Sequence, residues 1–294
     1  MPKQLLSYYK NGNYTVKLYS DGTKVKETLA NSFVAEFPDS IDLKITDYCD
    51  ANCPMCHEAS SKSGAHADLN VPFLKTLKKG TELAIGGGNP LSHPDLIDFL
   101  ERMKNQGVVC NLTANERHFL KDRELVLSLM KDKLICGLGI SISSYNEEII
   151  ELAKGHKNIV LHVINGVFTE LKALYGKGLK VLILGYKCFG RGKPFFSEEI
   201  RRNMDISKEM LPLALDKFSV LSFDNLALEQ LDVKSIISNK LYEQIFMGND
   251  GEGTMYIDLV KGEYALSSTS TVRHKLQNDI ITMFKKIKGE NNIE

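Results

Sequence analysis

Short apolar segments alternate with helical patterns through the middle of the chain, and this alternation restricts the possible folds more than any other feature of the sequence. The segments are rich in Val, Ile and Leu, as expected of parallel strands that are covered on both faces. We predict seven strands: Ser40–Thr46, Glu82–Gly86, Val108–Thr113, Ile135–Ser141, Asn158–Val163, Leu179–Leu184 and Phe218–Phe223.

The helical patterns between these strands have recognisable ends. One of them begins with Pro94, and each is followed by a glycine, which is the usual asymmetry of helix termini. Repeated βα units predict a parallel sheet, and about six of them predict an α/β fold, a partial (β/α)6 TIM-like barrel with functional loops after the strands. The predicted helices are Val71–Lys79, Pro94–Gln106, Tyr145–Lys154 and Val167–Tyr175.

The two ends of the chain differ from this middle part. Residues 13–29 predict a β-hairpin around Asp21-Gly22, and residues 253–267 predict a second one around Lys261-Gly262. Helices are predicted on either side of the second hairpin, over Val233–Met247 and Arg273–Lys288. We therefore predict three parts: an N-terminal β-hairpin region (1–39), a core barrel (40–225) and a small C-terminal α+β extension (226–294).

Composition argues against two classes of partner. The chain has 37 basic and 37 acidic residues, whereas nucleic-acid binders usually carry a basic excess. No apolar run approaches the roughly 20 residues of a membrane span, and the first ten residues lack the apolar core of a signal peptide. We expect a cytoplasmic protein that binds neither membrane nor nucleic acid.

Three of the six cysteines form a tight cluster. Cys49, Cys53 and Cys56 follow the first core strand with the spacing Cys-x3-Cys-x2-Cys, which places them in the first βα loop. Thiolates are the usual ligands of iron–sulfur clusters, and three protein ligands leave one metal position open. In a cytosolic protein such a group predicts metal or redox chemistry rather than disulfides.

Two functions other than catalysis are compatible with this cluster. A structural zinc site requires four ligands, and His57 is adjacent to Cys56, too close for the usual ligand spacing. An iron–sulfur electron carrier or sensor does not need the glycine-rich turn or the polar strand ends described below. We therefore favour an enzyme, with the carrier and the zinc module as alternatives.

The cysteine spacing resembles the signature of the radical SAM superfamily, and the resemblance covers about residues 40–225. It implies that the three cysteines bind a [4Fe–4S] cluster whose fourth iron is chelated by S-adenosylmethionine (SAM). It also implies reductive cleavage of SAM to a 5′-deoxyadenosyl radical, which abstracts hydrogen from a substrate, and a low-potential electron donor such as flavodoxin or ferredoxin. Met55 stands where an aromatic residue is frequent in the family.

The second predicted strand ends in a glycine-rich turn. Its sequence, Gly86-Gly87-Gly88-Asn89-Pro90, resembles the family's Gly-Gly-Glu-Pro motif, with Asn89 in place of Glu. The resemblance implies that Gly87, Gly88, Asn89 and Pro90 hold the amino group of SAM. Glycine permits the close backbone approach that this requires, although the same residues alone would also form an ordinary turn.

The same resemblance assigns SAM contacts at the ends of the later strands. From the residues alone, such polar groups also cap helices, and Ser144 or Asn146 is expected to cap the helix near Tyr145. Glu116 stands where the family frequently has Gly. The implied SAM-binding residues are Thr113, Asn115, Ser141, Ser143, Asn165, Leu184 and Gly185.

The loop after the sixth strand is a candidate for substrate chemistry. Cys188 is our candidate catalytic residue, as a hydrogen-atom donor to a substrate radical, and the alternative is a packed free cysteine. Lys187 and Arg191 either bind an anionic substrate group or are solvated. Cys110 and Cys136 lie in predicted core strands and are expected to be inert.

The region after the barrel bears on the substrate. No cysteine follows Cys188, so we expect no auxiliary cluster. The 253–267 hairpin resembles the one that opens the C-terminal extension of peptide-modifying members of the superfamily. A peptide or protein is therefore the first expectation for the substrate, and a nucleoside or other small metabolite is the alternative.

Overall fold

Two β-sheets organise the chain in the computed structural model, which describes residues 3–291. The smaller sheet is antiparallel and contains the predicted N-terminal hairpin, preceded by a strand that the sequence analysis missed. The larger sheet has ten strands. The strands are β1 (Leu5–Asn11), β2 (Tyr14–Tyr19), β3 (Lys24–Thr28), β4 (Ser40–Thr46), β5 (Glu82–Gly87), β6 (Val109–Asn115), β7 (Gly137–Ser141), β8 (Ile159–Ile164), β9 (Lys180–Leu184), β10 (Val220–Phe223), β11 (Thr254–Asp258), β12 (Glu263–Ala265) and β13 (His274–Lys275).

The core of the large sheet is parallel. Strands β4 to β10 lie side by side in chain order, and β11 adds an eighth parallel strand beside β4. β12 and β13 extend that edge in antiparallel orientation. This arrangement confirms the predicted α/β class and the partial TIM-like barrel, and β4 to β10 correspond to the seven predicted strands.

Helices connect the strands and cover the barrel. They are α1 (Leu96–Gln106), α2 (Glu116–Lys121), α3 (Arg123–Lys131), α4 (Glu147–Gly155), α5 (Gly192–Phe195), α6 (Glu198–Ala214), α7 (Asn225–Gln230), α8 (Val233–Ile236), α9 (Asn239–Ile245) and α10 (Ile280–Asn291). Buried aliphatic residues of β4 to β9 pack against them, because the strands are apolar on both faces. No helix within residues 3–291 is both long and apolar enough to cross a membrane.

The helices predicted after the first and the fifth core strand were wrong. The segment predicted as Val167–Tyr175 contains only a 3-10 turn, Leu171–Leu174, because Gly166 and Gly176 adopt left-handed conformations and turn the chain at both ends. The segment predicted as Val71–Lys79 contains the 3-10 turn Pro72–Thr76.

Two predicted helices in the C-terminal region also needed correction. The helix predicted over Val233–Met247 is divided into α8 and α9, because Ile237 is extended and Ser238 caps a new helix. The helix predicted from Arg273 begins only at Ile280, because His274 and Lys275 first pair with β12.

The small sheet lies at the amino-terminal end of the barrel. Leu6 and Leu18 line a cavity of about 210 Å³ together with residues at the start of the core strands, such as Val109 and Gly137. Gly139 and His162 also line this cavity, and the His162 ring occupies the space that a side chain at Gly139 would fill. The three-part division at residues 39 and 225 stays a prediction, and its outer ends, residues 1–2 and 292–294, lie outside the described part of the chain.

Candidate active site

A cavity of about 340 Å³ lies at the carboxyl ends of the parallel strands and brings most of the predicted site residues together. This is the end at which βα loops carry function in barrels of this kind. All three cysteines of the motif line it. So do eight of the predicted SAM-binding residues: Gly87, Gly88, Thr113, Asn115, Ser141, Ser143, Leu184 and Gly185.

The cysteine loop follows β4 directly. Cys49 is buried, Cys53 and Cys56 are half-buried, and a turn in which the Cys56 N–H donates to the Cys53 carbonyl brings the last two close in space. Burial raises the pKa of the Cys53 thiol, and the neighbouring sulfurs of Cys56 and Cys49 raise it further, against the attraction of Arg117 and Arg191. The three thiols are thus near enough to interact electrostatically.

The donor set fits a polynuclear cluster. Within residues 3–291, no three His, Cys, Asp or Glu side chains converge closely enough to hold a single metal ion. Three thiols that line one cavity have the donor chemistry of an iron–sulfur site, because thiolates are the usual ligands of such clusters. Cys49, Cys53 and Cys56 are the residues that would hold it.

Helix α2 holds one side of the cysteine loop. The His118 side chain lies 2.6 Å from the Asp50 carboxylate, and the Arg117 guanidinium donates to the Ala51 carbonyl at 3.0 Å. The Asn115 amide lies 3.8 Å from the Cys53 sulfur. The start of α2 therefore positions the loop from Asp50 to Cys53.

The loop after β9 holds the other side. Arg191 donates from Nε to the Cys53 carbonyl at 3.0 Å and from Nη1 to the Ser60 carbonyl at 2.9 Å. Its own N–H donates to the Cys56 carbonyl at 3.0 Å. The sequence analysis considered substrate binding or solvation for Arg191, and the structure shows a different role, because all three of these bonds fasten the cysteine loop.

A buried charge network joins the cysteine loop to β4 and β11. The Lys44 ammonium lies 2.6 Å from Asp47, 2.7 Å from Glu58 and 3.1 Å from Asp258. Burial alone would lower the pKa of Lys44, but these carboxylates outweigh it and raise that pKa. The Tyr256 hydroxyl donates to Glu58 at 2.9 Å. Sequence reasoning missed this network, because its members are far apart in the chain and each is an ordinary surface residue type.

The glycine-rich turn has two different faces. A side chain at Gly87 or Gly88 would overlap the backbone of Thr46 or Tyr48. The Gly88 N–H donates to the Thr46 carbonyl at 2.7 Å and the Asn89 N–H to the Tyr48 carbonyl at 2.6 Å. A side chain at Gly86, by contrast, would meet open space in the cavity. These glycines thus fit the start of the cysteine loop on one side and leave room for a ligand on the other.

Several polar residues at the strand ends are also engaged within the protein. Asn115 lines the cavity and caps α2 by accepting from the Arg117 N–H. The Ser143 hydroxyl donates to Glu116 at 2.9 Å. Asn146, one of the two expected capping residues, caps α4. Both of the interpretations made for these positions from sequence are therefore compatible with the structure.

Four predicted site residues lie outside the lining of the cavity: Asn89, Pro90, Asn165 and Cys188. Asn89 is buried and caps the following 3-10 turn. The Asn165 amide donates to Gln230 at 3.2 Å, and its buried oxygen has no hydrogen-bond partner among residues 3–291. Cys188 is exposed. Their assigned roles remain predictions.

The fold of this chain is similar to that of solved structures. It is similar to SuiB of Streptococcus suis bound to the precursor peptide SuiA, with a TM-score of 0.57 and 15% identity over 85% of this chain and 65% of that chain. SuiB bound to S-adenosylmethionine gives a TM-score of 0.53 and 13% identity over 82% and 64%. A further SuiB structure gives 0.57 and 11% over 94% and 86%.

These similarities establish the fold. The chain spans about 65% of the length of the SuiB chain in the peptide complex. No family model and no curated protein matches the sequence.

Proposed function

We propose that this protein is a radical SAM enzyme that binds a [4Fe–4S] cluster through Cys49, Cys53 and Cys56. The observation that carries the proposal is the shared cavity: the three thiols line it together with Gly86, whose missing side chain leaves open space. When bound, the cluster supplies the electron that cleaves SAM to methionine and a 5′-deoxyadenosyl radical. The fold shared with SuiB, which has been solved with SAM, supports this proposal.

The protein's own residues hold and orient the ligands. Arg191, Arg117 and His118 fix the cysteine loop from two sides. The N–H groups of Gly88 and Asn89 hold the turn against the Thr46 and Tyr48 carbonyls. The amino group of SAM is a donor and needs acceptors, so we assign it to carbonyl groups of the turn. Ser141, Ser143, Leu184 and Gly185 line the part of the cavity where we place the rest of SAM.

We propose a peptide or protein as the substrate, with a small metabolite as the alternative. SuiB has been solved with a precursor peptide, and its fold matches most of this chain. The electron for SAM cleavage would come from a low-potential donor such as flavodoxin or ferredoxin. Cys188 stays our candidate hydrogen-atom donor, although it would have to approach the cavity from an exposed position.

The test is anaerobic reconstitution with iron and sulfide, reduction with dithionite, and measurement of 5′-deoxyadenosine formed from SAM. The wild-type protein should form it, and Cys53→Ala should not. Cys136→Ala is the matched control, because that thiol does not line this cavity, and it should retain the activity.

Two other outcomes would identify the alternatives. A reconstituted cluster without SAM binding would indicate an electron carrier or sensor. Stoichiometric zinc with no cluster would contradict the proposal altogether.

A further inference from the structure

Asp42 lies on the inner wall of the cavity, well below the cysteine loop. On β4 it pairs with Ala84 of β5 and Tyr256 of β11, and it lines the cavity together with Lys187. The glycine-rich turn is level with Thr46. Four residues of strand separate these two levels, which is about 13 Å at 3.3 Å per residue. Asp42 is therefore distant from the place proposed for the amino group of SAM.

The Asp42 carboxylate is accessible from the cavity and has no protein partner. It accepts no hydrogen bond and makes no ion pair within 4 Å in the described part of the chain. Lys44, two residues further along the same face, differs in contacting three carboxylates. Lys187, the cation opposite Asp42, donates to the Ser268 hydroxyl at 2.9 Å.

The other acidic residues near Asp42 have partners of their own. Asp224 accepts from the N–H groups of Gly185 and Ala227, both at 2.8 Å. Asp250 accepts from the Asn225 amide at 2.7 Å. These two carboxylates add to the negative potential around Asp42, and, unlike Asp42, neither residue lines the cavity.

The Asp42 side chain is exposed to the open cavity, so water solvates its carboxylate in the free protein. A ligand that fills the cavity would displace this water, and a charge removed from water needs a partner. No described protein group takes that place, so the partner has to arrive with the ligand. The surroundings of the cavity raise the pKa of Asp42 to about 6, because desolvation and the repulsion of Asp250 and Asp224 outweigh the attraction of Lys187.

We propose that Asp42 recognises a positively charged side chain of the substrate, an ammonium or guanidinium group, within this cavity. The inference depends on the proposed function only in that the cavity receives a substrate. Lys187 opposes the cation and so limits the affinity. The ordinary lysine or arginine side chain of a peptide has the required charge and donors.

The test is binding of small probes to the full-length protein, measured by saturation-transfer NMR at pH 8 without SAM turnover. The probes are the Nα-acetyl methylamides of lysine, arginine and norleucine, because norleucine keeps the aliphatic chain and removes the charge. Wild-type protein should bind the lysine or arginine probe roughly tenfold more tightly than the norleucine probe, as expected of a hydrogen bond between charged groups. Which cationic probe binds more tightly distinguishes ammonium from guanidinium recognition.

Three variants make the test specific. Asp42→Asn should lose the preference for the cationic probes, whereas Asp205→Asn, which removes an exposed carboxylate on α6, should keep it. Lys187→Gln should increase the preference, which keeps the proposal testable if Asp42→Asn does not fold. Circular dichroism verifies folding in each case.

Three results would overturn the proposal: no preference in the wild-type protein, a preference that survives in Asp42→Asn, or no increase in Lys187→Gln. An Asp42→Asn protein that keeps the preference and loses affinity for SAM would assign the carboxylate to SAM instead. Failure of the proposed function is a separate result, because it would appear as no 5′-deoxyadenosine from the wild-type enzyme whatever the probes do.

Discussion

Neighbouring glycines at the end of β5 have different surroundings, so substitutions there should separate ligand binding from assembly of the cysteine loop. A methyl group at Gly86 would project into open cavity space, whereas one at Gly88 would overlap the Tyr48 carbonyl. The two positions are two residues apart and involve the same chemical change, which makes each a control for the other.

We expect Gly86→Ala to fold normally and to weaken SAM binding by roughly tenfold or more, the effect of one misplaced carbon in a ligand pocket. Gly88→Ala should instead displace Tyr48 and lower the iron content after reconstitution. Equilibrium dialysis with SAM and iron analysis distinguish these outcomes. A Gly86→Ala protein with unchanged SAM affinity would show that SAM does not occupy this part of the cavity.

Asp42 should reduce the stability of the free protein at neutral pH. Its folded-state pKa of about 6 lies above its ordinary value of 3.8, so the folded state binds more protons between these pH values and stability falls as pH rises through them. Asp42→Asn should therefore raise the free energy of unfolding at pH 8 by about 1 kcal/mol, a figure reduced because the carboxylate is open to solvent. The gain should be smaller at pH 4.5.

Urea unfolding at both pH values measures this effect, with Asp205→Asn as the control for loss of one negative charge. A gain of equal size at pH 4.5 and pH 8 would indicate that Asp42 acts by packing rather than by its charge.

At the level of elements, the cysteine loop depends on contacts from two segments that are distant in sequence, the start of α2 and the loop after β9. Arg191 donates to carbonyl groups near both ends of the loop, at Cys53 and Ser60. Its guanidinium geometry allows both bonds at once, which a glutamine amide in the same place could not reproduce. The loop after β9 thus supports the proposed cluster site, although none of the three proposed ligands lies in it.

Arg191→Gln should therefore weaken cluster binding by roughly tenfold, as is usual when a group that orients metal ligands is removed. The measurement is iron and sulfide content after anaerobic reconstitution at limiting iron. Arg202→Gln, at an exposed position on α6, is the matched control and should retain the wild-type content. Equal iron and sulfide content in the two variants would show that Arg191 is not needed to hold the cluster.

The elements that the sequence predicted best are those specified by local pattern. The continuous apolar segments gave the parallel strands nearly to the residue, since burial on both faces requires such segments wherever they pair. Helices such as Val167–Tyr175 failed because left-handed glycines at both ends limited the segment to one 3-10 turn. The strand β1 was missed, because its Ser, Tyr and Lys residues form no clear alternation and pairing with β2 stabilises it.

In the candidate site, too, local sequence patterns could be predicted and tertiary contacts could not. The cysteine spacing and the glycine-rich turn are local patterns, and the structure places both at one cavity. The roles of Arg191, Lys44 and Asp42 could not be predicted from sequence, because these roles arise from partners, or from a lack of partners, that only the folded chain defines. Lys44 contacts its three carboxylates only in the folded chain, because two of them lie in the loop after β4 and the third lies in β11.

For the whole molecule, Asp39 connects the small sheet, the barrel and the segment before β11. Its carboxylate accepts from Asn11 at 2.8 Å and from Tyr14 at 2.6 Å, and it forms an ion pair with Lys26 at 2.8 Å. Its N–H donates to the Gly253 carbonyl at 2.8 Å. Only 1% of this residue is exposed, so its bonds are poorly replaced by water.

Asp39→Asn should destabilise the protein by roughly 3 kcal/mol, because it leaves the Lys26 ammonium without its partner in a buried position and turns an amide group toward two donors. Glu27→Gln removes one partner of the exposed Lys17–Glu27 pair in the same sheet, and it should change stability little. Denaturant unfolding at pH 7 measures both. Equal effects would show that the small sheet is not anchored through Asp39.

The pH dependence of this anchor follows from its charge. Burial disfavours the Asp39 carboxylate, but Lys26, Tyr14 and Asn11 outweigh it and hold the pKa of Asp39 below its ordinary value. The stabilisation is therefore fully present above about pH 4 and is lost as the pH falls through the lower folded-state pKa.

The difference in unfolding free energy between wild type and Asp39→Asn should shrink on acidification below pH 4. The effect of Asp42→Asn has the opposite sign and develops between about pH 4 and 6. Because the two carboxylates act in different pH ranges, one set of unfolding curves from pH 3 to pH 8 separates the residue that anchors the fold from the residue that we assign to the ligand.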